Sequence, residues 1–163
     1  MTQSDRFIQR DRMRFTKDSR SSGLVLLAIV FNVLYFVSIY QSDVGSYFYN
    51  YKIGLSIVYN LLFLLIAFLA SQGVKSRKTG YSTTLTVLGV MQIVRIFYMP
   101  AQAVSTMVAI GSEEVPAMTK GQYTYVVICL VISAVCCLAA AVMSYINNQR
   151  LAQHMNELAN QTK

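Results

Sequence analysis

Four long apolar segments alternate with short polar connections along the chain. They cover residues 23–40, 53–70, 81–99 and 123–146. A helix of about 20 residues, rising 1.5 Å per residue, crosses the hydrocarbon core of a bilayer. Because that core holds no water, a spanning segment has to satisfy its own backbone hydrogen bonds, as a helix does. The pattern therefore predicts an all-α integral membrane protein, built as a four-helix transmembrane bundle with short loops.

The end of the third segment is ambiguous. Pro100 is typical of a helix stop, which favours an end at Met99. Residues 101–110 are also mostly apolar, so the helix could continue past a proline kink to about Val108, or 101–110 could form a separate interfacial helix. The choice decides whether Arg95 lies in the outer third of the membrane or near its centre.

Composition supports a membrane domain at 23–146 between two tails. The chain is 55% hydrophobic and only 13% charged, whereas soluble domains carry about a quarter charged residues. The charges concentrate in the basic tail of residues 1–22, the polar tail of 147–163 and the connection 71–80. We expect a multi-pass protein of the cell membrane, with the bacterial plasma membrane as the default because the chain is small and its tails are short.

The basic residues also predict the orientation. Of 14 Lys and Arg residues, 11 lie in the two tails and in 71–80, while Lys52 and Lys120 occupy the other two connections. Cytoplasmic segments of membrane proteins carry such an excess, so both termini are predicted to be cytoplasmic. The net charge of +7 is therefore expected to meet anionic lipid headgroups at the basic tail and at 71–80, and no nucleic acid.

Few residues are suited to catalysis or metal binding. None of the four spans contains Asp or Glu, and the single histidine, His154, lies in the C-terminal tail. The three cysteines share one apolar segment without a metal-ligand or disulfide spacing. We therefore expect no enzyme, no metal site and no cofactor.

Arg95 is the one charged residue inside a span. A guanidinium cannot become neutral in a protein, and placing it at bilayer depth costs about 2.5–3.5 kcal/mol on insertion scales. Gln92 lies three residues earlier, on the same helical face. The predicted ligand- or partner-binding residues are Arg95, Gln92, Asn32, Tyr35 and Asn60.

Three hypotheses account for Arg95. Its side chain could snorkel to the headgroups. It could be satisfied inside the bundle, by backbone carbonyls, by neutral side chains or by loop acids. It could bind an anion, namely a lipid headgroup, a substrate or an acid of a partner subunit. The neutral candidates are Asn32, Tyr35, Tyr59, Asn60 and Gln92, and the loop acids are Asp43, Glu113 and Glu114.

Small residues recur along the fourth span at a spacing of four, at Ser133, Cys137 and Ala141. Such rows allow helices to approach closely in lipid, so these residues are predicted to form a packing face.

Two functions fit these features. The first is a non-enzymatic accessory or scaffold subunit of a membrane complex, in which a partner subunit could satisfy Arg95. The alternative is a small oligomeric transporter or channel that moves an anionic or neutral solute past Gln92 and Arg95.

Overall fold

The chain folds into helices joined by short connections. The computed structural model describes the backbone of residues 17–41, 51–78, 80–105, 107–110, 113–116 and 118–161, and the side chains of 17–39, 54–78, 80–98, 118–154 and 156. Most of the predicted basic tail, residues 1–16, lies outside these ranges. The elements are α1 (Ser19–Gln41), α2 (Tyr51–Lys75), α3 (Gly80–Ser105), β1 (Met107–Ile110), β2 (Glu113–Pro116) and α4 (Lys120–Gln161).

Three of these helices are long and apolar enough to cross a membrane. Within the described residues the qualifying stretches are Ser19–Ile39 in α1, Gly54–Lys75 in α2 and Lys120–His154 in α4. The predicted helical class and the prediction of membrane-spanning helices are confirmed to this extent. By composition α3 is not among the three, because it carries Gln92 and Arg95 and begins with a run of Ser and Thr residues.

The chain between α3 and α4 fits one of the three expectations in part, because the helix continues past Pro100 but ends before Val108. Helix α3 passes through Pro100 and ends at Ser105, so the helix continues although proline removes one backbone donor. Residues 107–110 form a strand that pairs antiparallel with 113–116, with Ile110 opposite Glu113. The separate interfacial helix over 101–110 is therefore wrong. A short apolar run is compatible with a strand as well as with a helix, and its pattern cannot distinguish the two.

Each helix packs against two others. The contact between α3 and α4 is the most extensive, followed by those of α1 with α4, α1 with α2 and then α2 with α3. Gly89 lets α3 approach α4, since a Cβ at this position would lie 2.7 Å from Cγ of Leu138. Helices α1 and α3 therefore face each other diagonally across the core.

The exposed and buried faces have an unusual distribution of polarity. Leucine and valine side chains cover the outer surface, as at Leu55 with 68% exposure and Leu61 with 58%. The buried positions include Asn32, Asn60 and Gln92. Soluble proteins mostly bury apolar residues and expose polar ones, so the apolar outer surface suits surrounding lipid.

Polar side chains join the first turns of α1 and α3 to the end of α2 and to α4. We call this group the edge layer. Ser22 and Ser71 hydroxyl oxygens lie 2.8 Å apart, and Ser82 donates to Ser144 at 2.8 Å. Its members are Asp18, Ser21, Ser22, Ser71, Arg77, Ser82, Ser144 and Asn147.

The Asp18 carboxylate lies at the centre of the edge layer. It caps the N-terminus of α1 by accepting from the Ser21 amide at 3.2 Å, and it also accepts from Asn147 Nδ2 at 2.8 Å. Arg77 Nη1 donates to the carbonyl of Asn147 at 3.1 Å. Burial alone would raise the pKa of the Asp18 carboxyl. Hydrogen bonds from Asn147 and Ser21 and the charge of Arg77 outweigh that effect, so its pKa lies below the ordinary value of 3.8.

Candidate functional site

The five side chains predicted to bind a ligand or partner meet at one level of the protein. Together with Tyr59 and Ser133 they form what we call the central layer, to which all four helices contribute. Ten helical residues separate Ser82 of the edge layer from Gln92, so the two layers lie about 15 Å apart. The central layer consists of Asn32, Tyr35, Tyr59, Asn60, Gln92, Arg95 and Ser133.

Helix α3 aims Gln92 and Arg95 at the core because of their spacing. Its inward positions recur every three or four residues at Ser82, Leu85 and Leu88, and Gln92 and Arg95 continue this series. Gln92 is fully buried, and Arg95 is 5% exposed. The snorkelling hypothesis is therefore wrong, since the guanidinium lies inside the protein rather than at its surface.

Amide oxygens hold the guanidinium of Arg95. Its Nη1 donates to Oδ1 of Asn60 at 2.8 Å and to Oδ1 of Asn32 at 3.4 Å. Asn60 is oriented for this contact because its own Nδ2 donates to the carbonyl of Ser56, one turn earlier in α2, at 2.9 Å. One residue from α1 and one from α2 thus share a single nitrogen of Arg95.

Gln92 connects the same network to α4. Its Nε2 donates to Oδ1 of Asn32 at 2.9 Å and lies 3.5 Å from the Ser133 hydroxyl. Ser133 in turn donates to the carbonyl of Ala28 in α1 at 3.0 Å. A row of hydrogen bonds therefore runs from α2 through α1 and α3 to α4.

Two tyrosine rings lie against the guanidinium. The distance from Cζ of Arg95 to the ring centroid is 4.3 Å for Tyr35 and 4.8 Å for Tyr59. Each ring attracts the cation through its quadrupole, an effect worth about 2 kcal/mol when desolvated. The spacing in the sequence predicts that Tyr35 faces inward with Asn32, but the stacking of two rings on Arg95 could not be predicted.

The positive charge of Arg95 has neutral partners in the described residues. No carboxylate among them pairs with it, and amide oxygens and aromatic rings supply its contacts. The loop acids considered as counter-charges, Asp43, Glu113 and Glu114, lie outside the described side chains. Solvating a buried cation by dipoles alone is less complete than pairing it with an anion.

Buried polar atoms without a hydrogen-bond partner among the described residues occur in this layer. Examples are Nη2 of Arg95, Oε1 of Gln92 and the hydroxyl of Tyr59. A buried polar atom without a partner typically costs about 1–3 kcal/mol. The unused atoms offer N–H donors, a carbonyl acceptor and a hydroxyl, which together suit a small polar ligand.

The predicted packing row lies next to the central layer. Ser133, Cys137 and Ala141 are all buried on the inner side of α4. Ser133 has the additional role of hydrogen bonding to both α1 and α3. Sequence reasoning assigned Ser133 to packing alone, because a serine in a row of small residues gives no separate signal for a polar contact.

Comparisons with protein-family models, with curated proteins and with solved structures found no match for this chain.

Proposed function

We propose that this chain is a small multi-pass protein of the cell membrane, with four transmembrane helices and both termini in the cytoplasm. Helix α3 is the span added to the three helices named above; it turns Gln92 and Arg95 inward and exposes Val94 by 60% and Phe97 by 76%. In this arrangement the edge layer lies at the cytoplasmic interface, beside the basic connection 71–80. The bacterial plasma membrane is the membrane that we propose.

Labelling from outside intact cells tests this orientation. A cysteine introduced as Lys120→Cys, at the start of α4, should react with a membrane-impermeant maleimide. One introduced as Lys78→Cys should react only after the membrane is permeabilised. The native cysteines Cys129, Cys136 and Cys137 are buried and should contribute little background. Labelling of Lys78→Cys in intact cells would contradict the proposed orientation.

The proposed activity is non-enzymatic: the central layer binds a small anionic solute and passes it across the membrane. The observation that carries this proposal is the buried guanidinium of Arg95, whose contacts among the described side chains are all neutral. A charge at mid-depth is costly, and residues that retain one usually line a pathway or a ligand site. Many transporters also place their substrate site near the membrane midplane, between helices.

Proteoliposomes test the proposal directly. The purified protein should accelerate efflux of small organic anions, measured with a radiolabelled panel, and Arg95→Gln should abolish the acceleration. Arg150→Gln is the matched control, since Arg150 is exposed on α4 and loses the same charge far from the central layer. If Arg95→Gln supports the same anion flux as the wild type, or if no anion crosses, the proposal fails.

A second candidate is an accessory or scaffold subunit of a membrane complex. It is favoured by α4, which continues from Asn147 in the edge layer to Gln161, about 21 Å of helix beyond the other three at this end. Such an extension could dock a cytoplasmic partner. Purification from the native membrane in mild detergent should then recover a partner that is lost when residues 151–163 are deleted. Recovery of the chain alone would contradict this candidate.

A further inference from the structure

We infer that the unused atoms of the central layer form a binding site for a small oxyanion that also carries a hydrogen-bond donor, such as a 2-hydroxycarboxylate. The inference rests on the proposed function, because it names the class of solute that Arg95 would bind. It follows from which atoms of Arg95, Gln92 and Tyr59 are already occupied and which are left.

The guanidinium of Arg95 determines that the ligand is an oxyanion. The rings of Tyr35 and Tyr59 stack on the guanidinium, so further partners approach in its plane. There, Nη1 is bonded to two amide oxygens, whereas Nη2 has no partner in the described residues. Planar N–H groups of arginine match the oxygens of a carboxylate or phosphate. A negative ligand would also supply the counter-charge that the neutral contacts lack.

The amide of Gln92 determines that the ligand carries a donor. Arginine only donates, so the atom of Asn32 in contact with Arg95 is its oxygen, Oδ1. The atom of Gln92 that lies 2.9 Å from this oxygen is therefore its NH₂ group. The carbonyl oxygen of Gln92 then points away and has no partner in the described part of the chain. It can be satisfied by an O–H or N–H of a ligand, which an acetate or a chloride lacks.

We assign the two unused groups to one site because the side chains that carry them meet at the same atom of Asn32. Gln92 Nε2 and Arg95 Nη1 both donate to Oδ1 of Asn32, at 2.9 and 3.4 Å. The amide and the guanidinium therefore lie next to the same oxygen. The Tyr59 hydroxyl, on the ring that contacts Arg95, is buried and has no partner in the described residues. It can donate to the oxyanion or accept from the ligand's donor.

Matched ligands test the inference on the full-length protein in lipid nanodiscs. Lactate and propionate have the same carboxylate and nearly the same size, and only lactate carries a hydroxyl donor. Calorimetric titration should give about tenfold tighter binding of lactate, the ratio that one additional hydrogen bond of about 1.4 kcal/mol produces. Phosphate, whose protonated forms also carry O–H groups, should compete with lactate, and chloride should not.

Two variants test the assignment of the atoms. Tyr59→Phe removes a hydroxyl that bonds to nothing in the described residues, so a purely structural role predicts no loss of lactate binding. We expect about a tenfold loss instead. Gln92→Met should reduce the preference for lactate over propionate to about one. Arg150→Gln should bind both ligands as the wild type does.

The outcomes separate this inference from the proposed function. If lactate and propionate bind equally and Arg95→Gln abolishes both, the donor requirement is wrong although the anion site remains. If Tyr59→Phe and Gln92→Met retain the full preference for lactate, the assigned atoms are wrong. If no anion binds to the wild type, both the inference and the proposed function fail.

Discussion

The edge layer and the central layer are both buried polar groups that join the helices, but they balance charge differently. In the edge layer the Asp18 carboxylate accepts from Ser21 and Asn147, and the charge of Arg77 lies nearby. In the central layer Arg95 is surrounded by amide oxygens and tyrosine rings, with no carboxylate among the described residues. One layer contains both signs of charge, and the other contains a cation alone.

The difference suggests separate roles for the two layers. A group whose donors, acceptors and charges are matched within the protein gains little from a ligand, so the edge layer is suited to fixing the helices. A group with unused atoms and an excess charge retains free energy that a ligand can recover. The central layer therefore has the properties of a binding site, and changes in the two layers should have different consequences for stability.

The largest effect is expected from removing the amide that holds Arg95. Asn60→Leu deletes the acceptor 2.8 Å from Nη1 and should lower the free energy of unfolding by about 3 kcal/mol, because a buried charge loses its best partner. The edge-layer counterpart, Ser144→Ala, breaks a neutral bond to Ser82 and should cost about 1 kcal/mol. Both losses in free energy of unfolding can be measured in detergent with a maleimide dye, which reacts with the buried cysteines when the protein unfolds.

A double variant provides the control. Asn60→Leu combined with Arg95→Met removes the cation together with its acceptor, and replacing both partners of a buried polar pair by apolar groups is often neutral. The double variant should therefore be more stable than Asn60→Leu alone. If the losses in free energy of unfolding caused by Asn60→Leu and Arg95→Met simply add, the buried cation is not the reason that Asn60→Leu destabilises the protein.

The stretch of α3 between the two layers should be sensitive to added volume. Gly89→Ala places a Cβ within 2.7 Å of Cγ of Leu138 in α4, whereas Gly54→Ala meets nothing within 4 Å. Both substitutions gain the same helix propensity, so the difference between their free energies of unfolding measures the effect of overpacking alone. We expect Gly89→Ala to be less stable than Gly54→Ala by about 2 kcal/mol. Equal unfolding temperatures for the two variants would mean that Leu138 moves aside freely.

The central layer could be predicted from the sequence to a greater extent than the edge layer. Asn32, Gln92 and Arg95 stand out because their neighbours in the chain are apolar, and their spacing places them on inward helix faces. Asp18 and Asn147 lie among many polar residues, so nothing marks them as buried. Asp18 and Asn147 bond to each other because α1 packs against α4. The polar and apolar pattern within a single helix does not specify which other helix it packs against.

The acid stability of the protein should depend on the edge layer. The pKa of Asp18 is lower when folded than its ordinary value of 3.8, so its contribution is fully present above that value and is lost as the pH falls through the folded pKa. Asn can still cap the helix but loses the charge-assisted hydrogen bonds, so Asp18→Asn should destabilise the protein by about 1.5 kcal/mol at pH 7. The gap in unfolding temperature between wild type and variant should narrow below pH 4. A gap independent of pH would show that the charge of Asp18 contributes nothing.

The smallest effect concerns the backbone of the edge layer, in the turn after α2. Arg77 has a φ of 55°, in the left-handed region, while the Lys78 amide donates to the Gly73 carbonyl and the Arg77 amide to that of Val74. This is a Schellman end, which usually has glycine at the position that Arg77 occupies. Arginine is strained there by about 1 kcal/mol, and its side chain compensates by bonding to Asn147.

Two substitutions of Arg77 separate these terms. Arg77→Ala and Arg77→Gly both remove the bond to Asn147, but only glycine relieves the left-handed strain. The glycine variant should therefore be more stable than the alanine variant by about 1 kcal/mol, measured by the same dye assay. The wild type should be more stable than the alanine variant, because both carry the strain and only arginine bonds across to α4. If the alanine variant equals the wild type, the side chain of Arg77 does not stabilise the edge layer, and Asp18 and Asn147 hold α1 to α4 without it.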